Sequence, residues 1–289
     1  MSTNRIFGMK RLVYWCAGGL LCVNFVPHAL PSIIRWSSEA DRIEAPIELV
    51  AHVRKIAASM GLSNTERVQV FVNRGFSSLC GGSTALPMGA VIGLPRTVLF
   101  RSPKDVHKCD IAVKGEPVDW ESEEGEQLLK ILPPSAKLIN FRIAHEVAHL
   151  KSNDFVYHTL LSPAVLVCGY HFALFLSKSM FPGRIVAAFP LLFSLALVAQ
   201  VQISSTIHHW QEYRADKMAA VCRRSYAEGG AELMRRGMQL ESILREPPSR
   251  YSLERFTASF KSHPSYRDRL ERLNDLLALS GNDYDYVGR

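Results

Sequence analysis

The chain has 289 residues, of which 47% are hydrophobic, 21% charged and 9% aromatic, which excludes a disordered chain, a collagen and a coiled coil. A mean hydropathy of +0.02 is too low for a polytopic transporter and high for a purely soluble enzyme, so a folded domain with a few membrane spans is expected. The net charge of +7 comes from scattered basic residues, many beside apolar runs, and no nucleic-acid motif accompanies it.

In chain order, the first element is an apolar run over residues 12–26, extended through 27–34 and preceded by Arg5, Lys10 and Arg11. A basic, acid-free N-terminus beside a short apolar run fits a signal peptide, a signal anchor or a mitochondrial import signal with an anchor. No clear small-residue cleavage site follows, which favours a retained anchor. Pro46 opens an amphipathic helix that closes near Gly61. Short strands are predicted at 67–73, at Met88, Gly89, Ala90, Val91, Ile92 and Gly93, at 97–101 and at 108–114. Helices are predicted over 123–132 and from Pro134 to Ser152.

Two longer apolar runs follow, 156–177 and 185–203, and neither contains Asp, Glu, Lys or Arg. At 1.5 Å per residue each reaches about 30 Å, enough to cross a bilayer. The short loop 178–184 makes them a helical hairpin, and Pro163 and Pro190 are tolerable where neighbouring helices satisfy the freed carbonyls. A helix is then predicted over 204–228, stopping at Gly229-Gly230, followed by helices over 231–245 and 264–280. Six cysteines occur, three of them inside apolar runs and none in a C-x-x-C, so neither a disulfide scaffold nor a cysteine zinc site is expected.

The chemistry concentrates in His145-Glu146-Val147-Ala148-His149. Residues four apart on a helix share a face, so both imidazoles can bind one zinc ion while Glu146 serves as general base. A catalytic zinc needs a third protein ligand and one open position. No Gly or third His follows His149 at metzincin spacing, but Glu212-Tyr213-Arg214-Ala215-Asp216 supplies a glutamate on a later helix. Glu212 can ligate zinc, and Asp216, four residues on, can hydrogen-bond the outer nitrogen of a ligand histidine. His208 and His209 read as interfacial, His171 as facing the bundle interior, and Trp120 and Trp210 as interfacial or core residues.

These motifs, the hairpin between them and the late His263-Pro264-Ser265-Tyr266-Arg267-Asp268-Arg269-Leu270 resemble the membrane-embedded gluzincins of metallopeptidase family 48. That family includes the CAAX prenyl protease and HtpX types. The resemblance implies a mainly α fold with a small β-sheet (α+β). It also implies a gluzincin-like zinc metallopeptidase domain interrupted by a transmembrane hairpin, with an N-terminal transmembrane anchor. Four segments are expected: 1–37 as basic segment and anchor, 38–155 as the first part of the domain, 156–203 as the hairpin and 204–289 as the second part. On this resemblance one Zn2+ is bound by His145, His149 and Glu212. Glu146 handles protons, and His263 is either an oxyanion stabiliser or a helix-start residue. Arg269 is a structural ion pair or a substrate contact. The strand from Met88 to Gly93 either pairs with an extended substrate or is an ordinary sheet strand.

Gly89-Ala90-Val91-Ile92-Gly93-Leu94-Pro95, Val118-Asp119-Trp120 and Leu160-Leu161-Ser162-Pro163-Ala164 also resemble the transmembrane protein 177 family. That resemblance implies a mitochondrial inner-membrane protein that assists assembly of cytochrome c oxidase subunit II, with that subunit and its assembly chaperone as partners. The expectation is therefore an integral-membrane zinc endopeptidase acting on membrane or membrane-proximal proteins, with the assembly factor as the alternative. The inner membrane, with the zinc domain toward the intermembrane space, is the expected location; the endoplasmic reticulum membrane is the alternative.

Overall fold

The computed structural model describes residues 3–37, 40–73, 75–107, 111–113, 116–244 and 263–279. In chain order the helices are α1 (Thr3–Ala29), α2 (Ser32–Ser37), α3 (Ile47–Ser59), α4 (Pro103–His107), α5 (Glu123–Ile131), α6 (Ala136–Lys151), α7 (Phe155–Met180), α8 (Ile185–Cys222), α9 (Arg224–Leu244) and α10 (Tyr266–Leu279). The strands are β1 (Ala40–Glu44), β2 (Val68–Asn73), β3 (Leu79–Gly82), β4 (Ala90–Pro95), β5 (Ala112–Val113) and β6 (Glu116–Pro117). The fold is mainly α with a small sheet, as its sequence implies. The main sheet has the order β1-β2-β4-β3. Strand β4 runs parallel to β2, with Val68 opposite Ala90, and antiparallel to β3, with Cys80 opposite Ile92.

Helix α6 packs under this sheet and presents Phe141, Ile143, Ala144 and Val147 to one apolar core. Val53, Ile56, Ile92 and Leu94 meet them from the α3 and sheet side, and Ala215, Ala219, Met234 and Leu273 from α8, α9 and α10. The segments on either side of the hairpin therefore share one core. Ser135 caps α6, accepting the Leu138 N–H, while its hydroxyl donates to Glu232 on α9. One side chain thus fixes both where α6 starts and how α9 crosses it.

Among the described residues, three helices are long and apolar enough to span a membrane: Met9–Ala29, Phe155–Met180 and Ala188–Cys222. The chain is an integral membrane protein. Helix α1 runs antiparallel to α7: the Tyr14 hydroxyl lies 3.1 Å from His171 Nε2, and the Asn24 amide donates to the His158 carbonyl. Val13, Tyr170, Ala173 and Phe189 close the small core of this bundle. His171 meets Tyr14 there but remains exposed overall, so the expectation that it faces the interior holds only for this contact.

Several expectations need correcting. Gly229-Gly230 does not end a helix. The α8 helix stops earlier, at Arg223, whose φ of −158° and ψ of 142° are extended, and both glycines lie inside α9. They are there because α9 presses on α6: a Cβ on Gly229 would lie 2.1 Å from the Lys137 carbonyl oxygen, and one on Gly230 2.6 Å from the Phe141 ring. The helix predicted from residue 231 is accordingly part of α9; its last residue, 245, lies outside the described residues.

The strand predicted at 97–101 is instead a 3-10 turn over Arg96–Leu99, closed by the Phe100 N–H on the Thr97 carbonyl. Pro95 has no N–H to extend the ladder, so the strand ends there. The strand predicted from Met88 starts two residues later, at Ala90, because Gly89 takes a turn conformation with φ +75°. Both edges of that strand are occupied, by β2 and β3, so it cannot pair with a substrate. The edge strand on that side is β3, which sequence patterning missed. Of the strand predicted at 108–114, Ala112 and Val113 form β5, Ile111 precedes it, and 108–110 and 114 lie outside the described residues.

Candidate metal centre

His145 and His149 lie one turn apart on α6, and Glu212 comes from α8. The three approach closely: His145 Nε2 is 3.1 Å from His149 Nε2, and Glu212 carboxylate oxygens are 3.4 Å from the first and 3.5 Å from the second. These are the only three His, Cys, Asp or Glu side chains among the described residues grouped tightly enough to hold a metal. Zinc bonds of about 2.0–2.1 Å in a tetrahedron require ligand atoms about 3.3 Å apart; the two distances to Glu212 go to its two different oxygens, and one atom from each of the three residues lies within 4.8 Å of the others, a spacing on which a zinc ion can close.

What orients the two rings is equally informative. His145 Nδ1 lies 2.9 Å from Asp216 Oδ1, and His149 Nδ1 lies 2.7 Å from Asp154 Oδ2. Carboxylates on the outer nitrogens turn both Nε2 atoms inward. Asp216 stands where the E-x-x-A-D spacing places it. Asp154 was not anticipated. The chain leaves α6 through Asn153, whose φ of +49° is a left-handed turn that asparagine tolerates, and this swings Asp154 back under His149. An Asn-Asp pair after an HExxH helix is the sequence signal for it. Arg214 and Gln211, both on α8, hold Asp154 in turn, through its carboxylate and its backbone carbonyl respectively.

Arg269 on α10 locks the opposite side. Its Nε and Nη2 make a two-pronged contact with Asp216, each at 2.7 Å, and its Nη1 lies 2.9 Å from Glu212. Arg269 is 8% exposed, which makes it an ion pair of the interior. His263 Nδ1 lies 3.3 Å from Glu212 Oε1 at the open side of the cluster, with its side chain 64% exposed. Glu146 is buried, and burial together with the negative charge of Glu146 pushes the Cys80 thiol of β3 well up. That cysteine was also missed from sequence, because a half-buried Cys in a four-residue strand has no pattern of its own.

The electrostatics follow from these contacts. Burial opposes charging His149, but hydrogen bonds with Asp154 and Glu212 outweigh it and raise the imidazole to about 10. His145 is raised as well: burial acts against it, and Asp216 and Glu212 prevail. Burial would raise the Glu212 carboxyl, yet the hydrogen bonds from His145, His149 and His263 hold it well below the usual carboxylate range. Asp216 is likewise depressed, with Arg269 and then His145 overcoming its burial. Four acids, Glu146, Asp154, Glu212 and Asp216, converge on two imidazoles, a setting that favours positive charge between them, whether carried by protons or by a metal cation.

Trp120 meets His107 edge to face in a satellite region, and Trp210 stacks with Arg214 on α8. His208 stacks on His158 with ring centroids 3.9 Å apart, between α7 and α8.

Comparison with known proteins agrees with this geometry. Residues 126–277 match the model of peptidase family M48. Transmembrane protein 177 of Danio rerio is 26% identical over 285 residues, covering 90% of this chain and 91% of its own. The Homo sapiens protein of that name is also 26% identical, over 91% of this chain and 87% of its own. Among solved structures, S. mikatae Ste24p has the same fold, with a TM-score of 0.52 and 18% identity over 93% of this chain. The chain spans 61% of that larger protein. The family match covers the whole stretch from the start of the metal-site half to α10, and the chain belongs to peptidase family M48.

Proposed function

We propose that this membrane metallopeptidase-like protein is a zinc endopeptidase acting on membrane or membrane-proximal polypeptides. The observation that carries the reading is the convergence of His145 Nε2, His149 Nε2 and the Glu212 carboxylate, the rings 3.1 Å apart and each within 3.5 Å of one of its two oxygens, backed on both histidines by carboxylates. Zinc held there supplies Lewis acidity toward a peptide carbonyl and toward water. The rest is the work of the chain. Glu146, next to His145 and buried, takes a proton from the attacking water as the C–O bond forms, then gives it to the amine nitrogen as the C–N bond breaks. His263, at the open side, donates toward the carbonyl oxygen as its charge grows. Arg269 and Asp216 hold Glu212 and His145 in place and touch no substrate.

The test is metal analysis of the purified protein together with a casein cleavage assay. One zinc per chain is expected, and Glu146→Gln should keep the zinc while hydrolysis falls by ~10² or more. Native protein without stoichiometric zinc, or a Gln variant as fast as native, overturns the reading.

The likeness to transmembrane protein 177 along nine-tenths of both chains favours a second reading, the assembly-factor role for cytochrome c oxidase subunit II that the resemblance implies. Deletion followed by restoration with Glu146→Gln separates the two: full rescue by an abundant, zinc-loaded variant means that the chemistry is dispensable. For location we favour the mitochondrial inner membrane. The antiparallel packing of α1 on α7 puts Lys10 and Arg11 at the same end as Lys178 and Arg184. Positive residues favour the matrix side, which turns the metal centre to the intermembrane space. Protection of the metal domain from protease after only the outer mitochondrial membrane is ruptured would refute this orientation, and residence in the endoplasmic reticulum would refute the compartment.

A further inference from the structure

Among the described residues, strand β3 is last in its sheet, so one row of its backbone groups has no strand partner there. It packs against α6, the helix that carries His145 and His149, so this edge runs beside the candidate metal centre. Such an edge is a template for an extended chain, which would pair with it through main-chain hydrogen bonds.

The edge is occupied by the chain itself. The end of α1, the turn after it and the start of α2, residues 28–34, lie along it. The Gly82 N–H donates to His28 Nδ1 at 3.1 Å, the bond that a partner strand's carbonyl would otherwise accept. Ile34 sits directly over Gly81: a Cβ there would lie 2.1 Å from Ile34 Cδ1 and 3.3 Å from His28 Nδ1. At Gly82 a Cβ would come within 2.9 Å of Pro31 Cγ. Two successive glycines thus let this segment settle onto the backbone. The segment is also pinned from the other side. The His28 ring stacks on Phe155, the first residue of α7, with centroids 4.7 Å apart, and Asn24 donates to the His158 carbonyl.

We propose that residues 28–34 form a built-in cover on a peptide-binding edge, with His28 standing in for the backbone carbonyl of a bound extended polypeptide. The cover ties the membrane anchor to access at the metal centre, because α1 must shift along α7 before a chain can pair with β3. Its role in regulating cleavage rests on the peptidase reading; its existence does not.

The test uses full-length protein in nanodiscs, with hydrogen exchange across residues 79–83 and anisotropy of a fluorescein-labelled extended casein peptide. The double variant His28→Ala, Ile34→Ala should speed exchange at the Gly82 amide and tighten peptide binding, each by about tenfold, the scale of one lost hydrogen bond. His28→Asn, whose Oδ1 replaces Nδ1 as acceptor, should behave as native. Should the double variant fail to fold, Gly81→Ala pushes Ile34 off from the opposite side and should give the same faster exchange. Folded variants with unchanged exchange and unchanged peptide affinity overturn the proposal. Tighter binding without hydrolysis in either native or variant protein leaves the cover standing and removes the peptidase reading. Native-like binding with active hydrolysis does the reverse.

Discussion

The membrane hairpin and the metal centre share α7's start and α8, yet they are held in opposite ways. In the hairpin, Phe172, Phe175, Leu191 and Leu195 point outward, each more than half exposed, as side chains facing lipid tails must be. They are interchangeable with other apolar groups, because lipid is as apolar as they are. Around His145 and His149, by contrast, charged and polar groups meet named partners at set distances, and three helices and a turn contribute them. Shape tolerance in one region and directional bonding in the other mean that similar substitutions should have very different costs along the same helix.

The sharpest way to expose that contrast is Arg269→Leu. It strands Asp216 and Glu212 as buried carboxylates and should lower stability by about 3–5 kcal/mol, read from denaturant unfolding in detergent. A loss below about 1 kcal/mol would show that the cluster does not depend on this guanidinium. Next comes Gly229→Ala. In an open helix, alanine gains about 1 kcal/mol over glycine. Here its methyl meets the α6 backbone, so a net loss of about 1–3 kcal/mol is expected. A stabilised variant would mean that α9 stands off α6. Asp154→Asn should leave folding nearly intact and weaken zinc affinity about 10- to 100-fold, measured by competition with a chelator. Unchanged affinity would remove Asp154 from the metal centre. The smallest effect is predicted for Leu195→Val in the hairpin, within about 0.5 kcal/mol by the same unfolding assay.

The readable parts of the sequence were those with a short, rigid repeat. His145 to His149 and Glu212 to Asp216 are one helical turn each, so local spacing alone places their side chains on one face. The hairpin was readable because uncharged runs of that length have few other uses. What escaped notice depends on distant neighbours. Gly229-Gly230 reads as a helix stop, and only the nearness of Lys137 and Phe141 shows that it is a packing notch. Strand β3 carries two glycines in four residues, a composition that argues against a strand until β4 lies beside it. Asp154, whose partner His149 lies five residues back across a turn, was missed, and Arg269 was read as an ion pair or a substrate contact without its partner, because Asp216 lies 53 residues away and that separation carries no local signal.

Helix α8 runs without a break from the apolar residues of the hairpin to Cys222, and Glu212 lies nine residues beyond Ile203. At 1.5 Å per residue, that puts the carboxylate about 14 Å further along the helix axis. The bilayer therefore sets the height of one metal-binding group, while α6, rooted in the sheet, sets the height of the other two. A membrane that is thicker or thinner, or a helix that tilts to match it, loads α8, and the core that α8 shares with α6 opposes any shift of Glu212 relative to His145 and His149. Metal affinity measured against the acyl-chain length of the reconstituting lipid reports how far that load reaches the site.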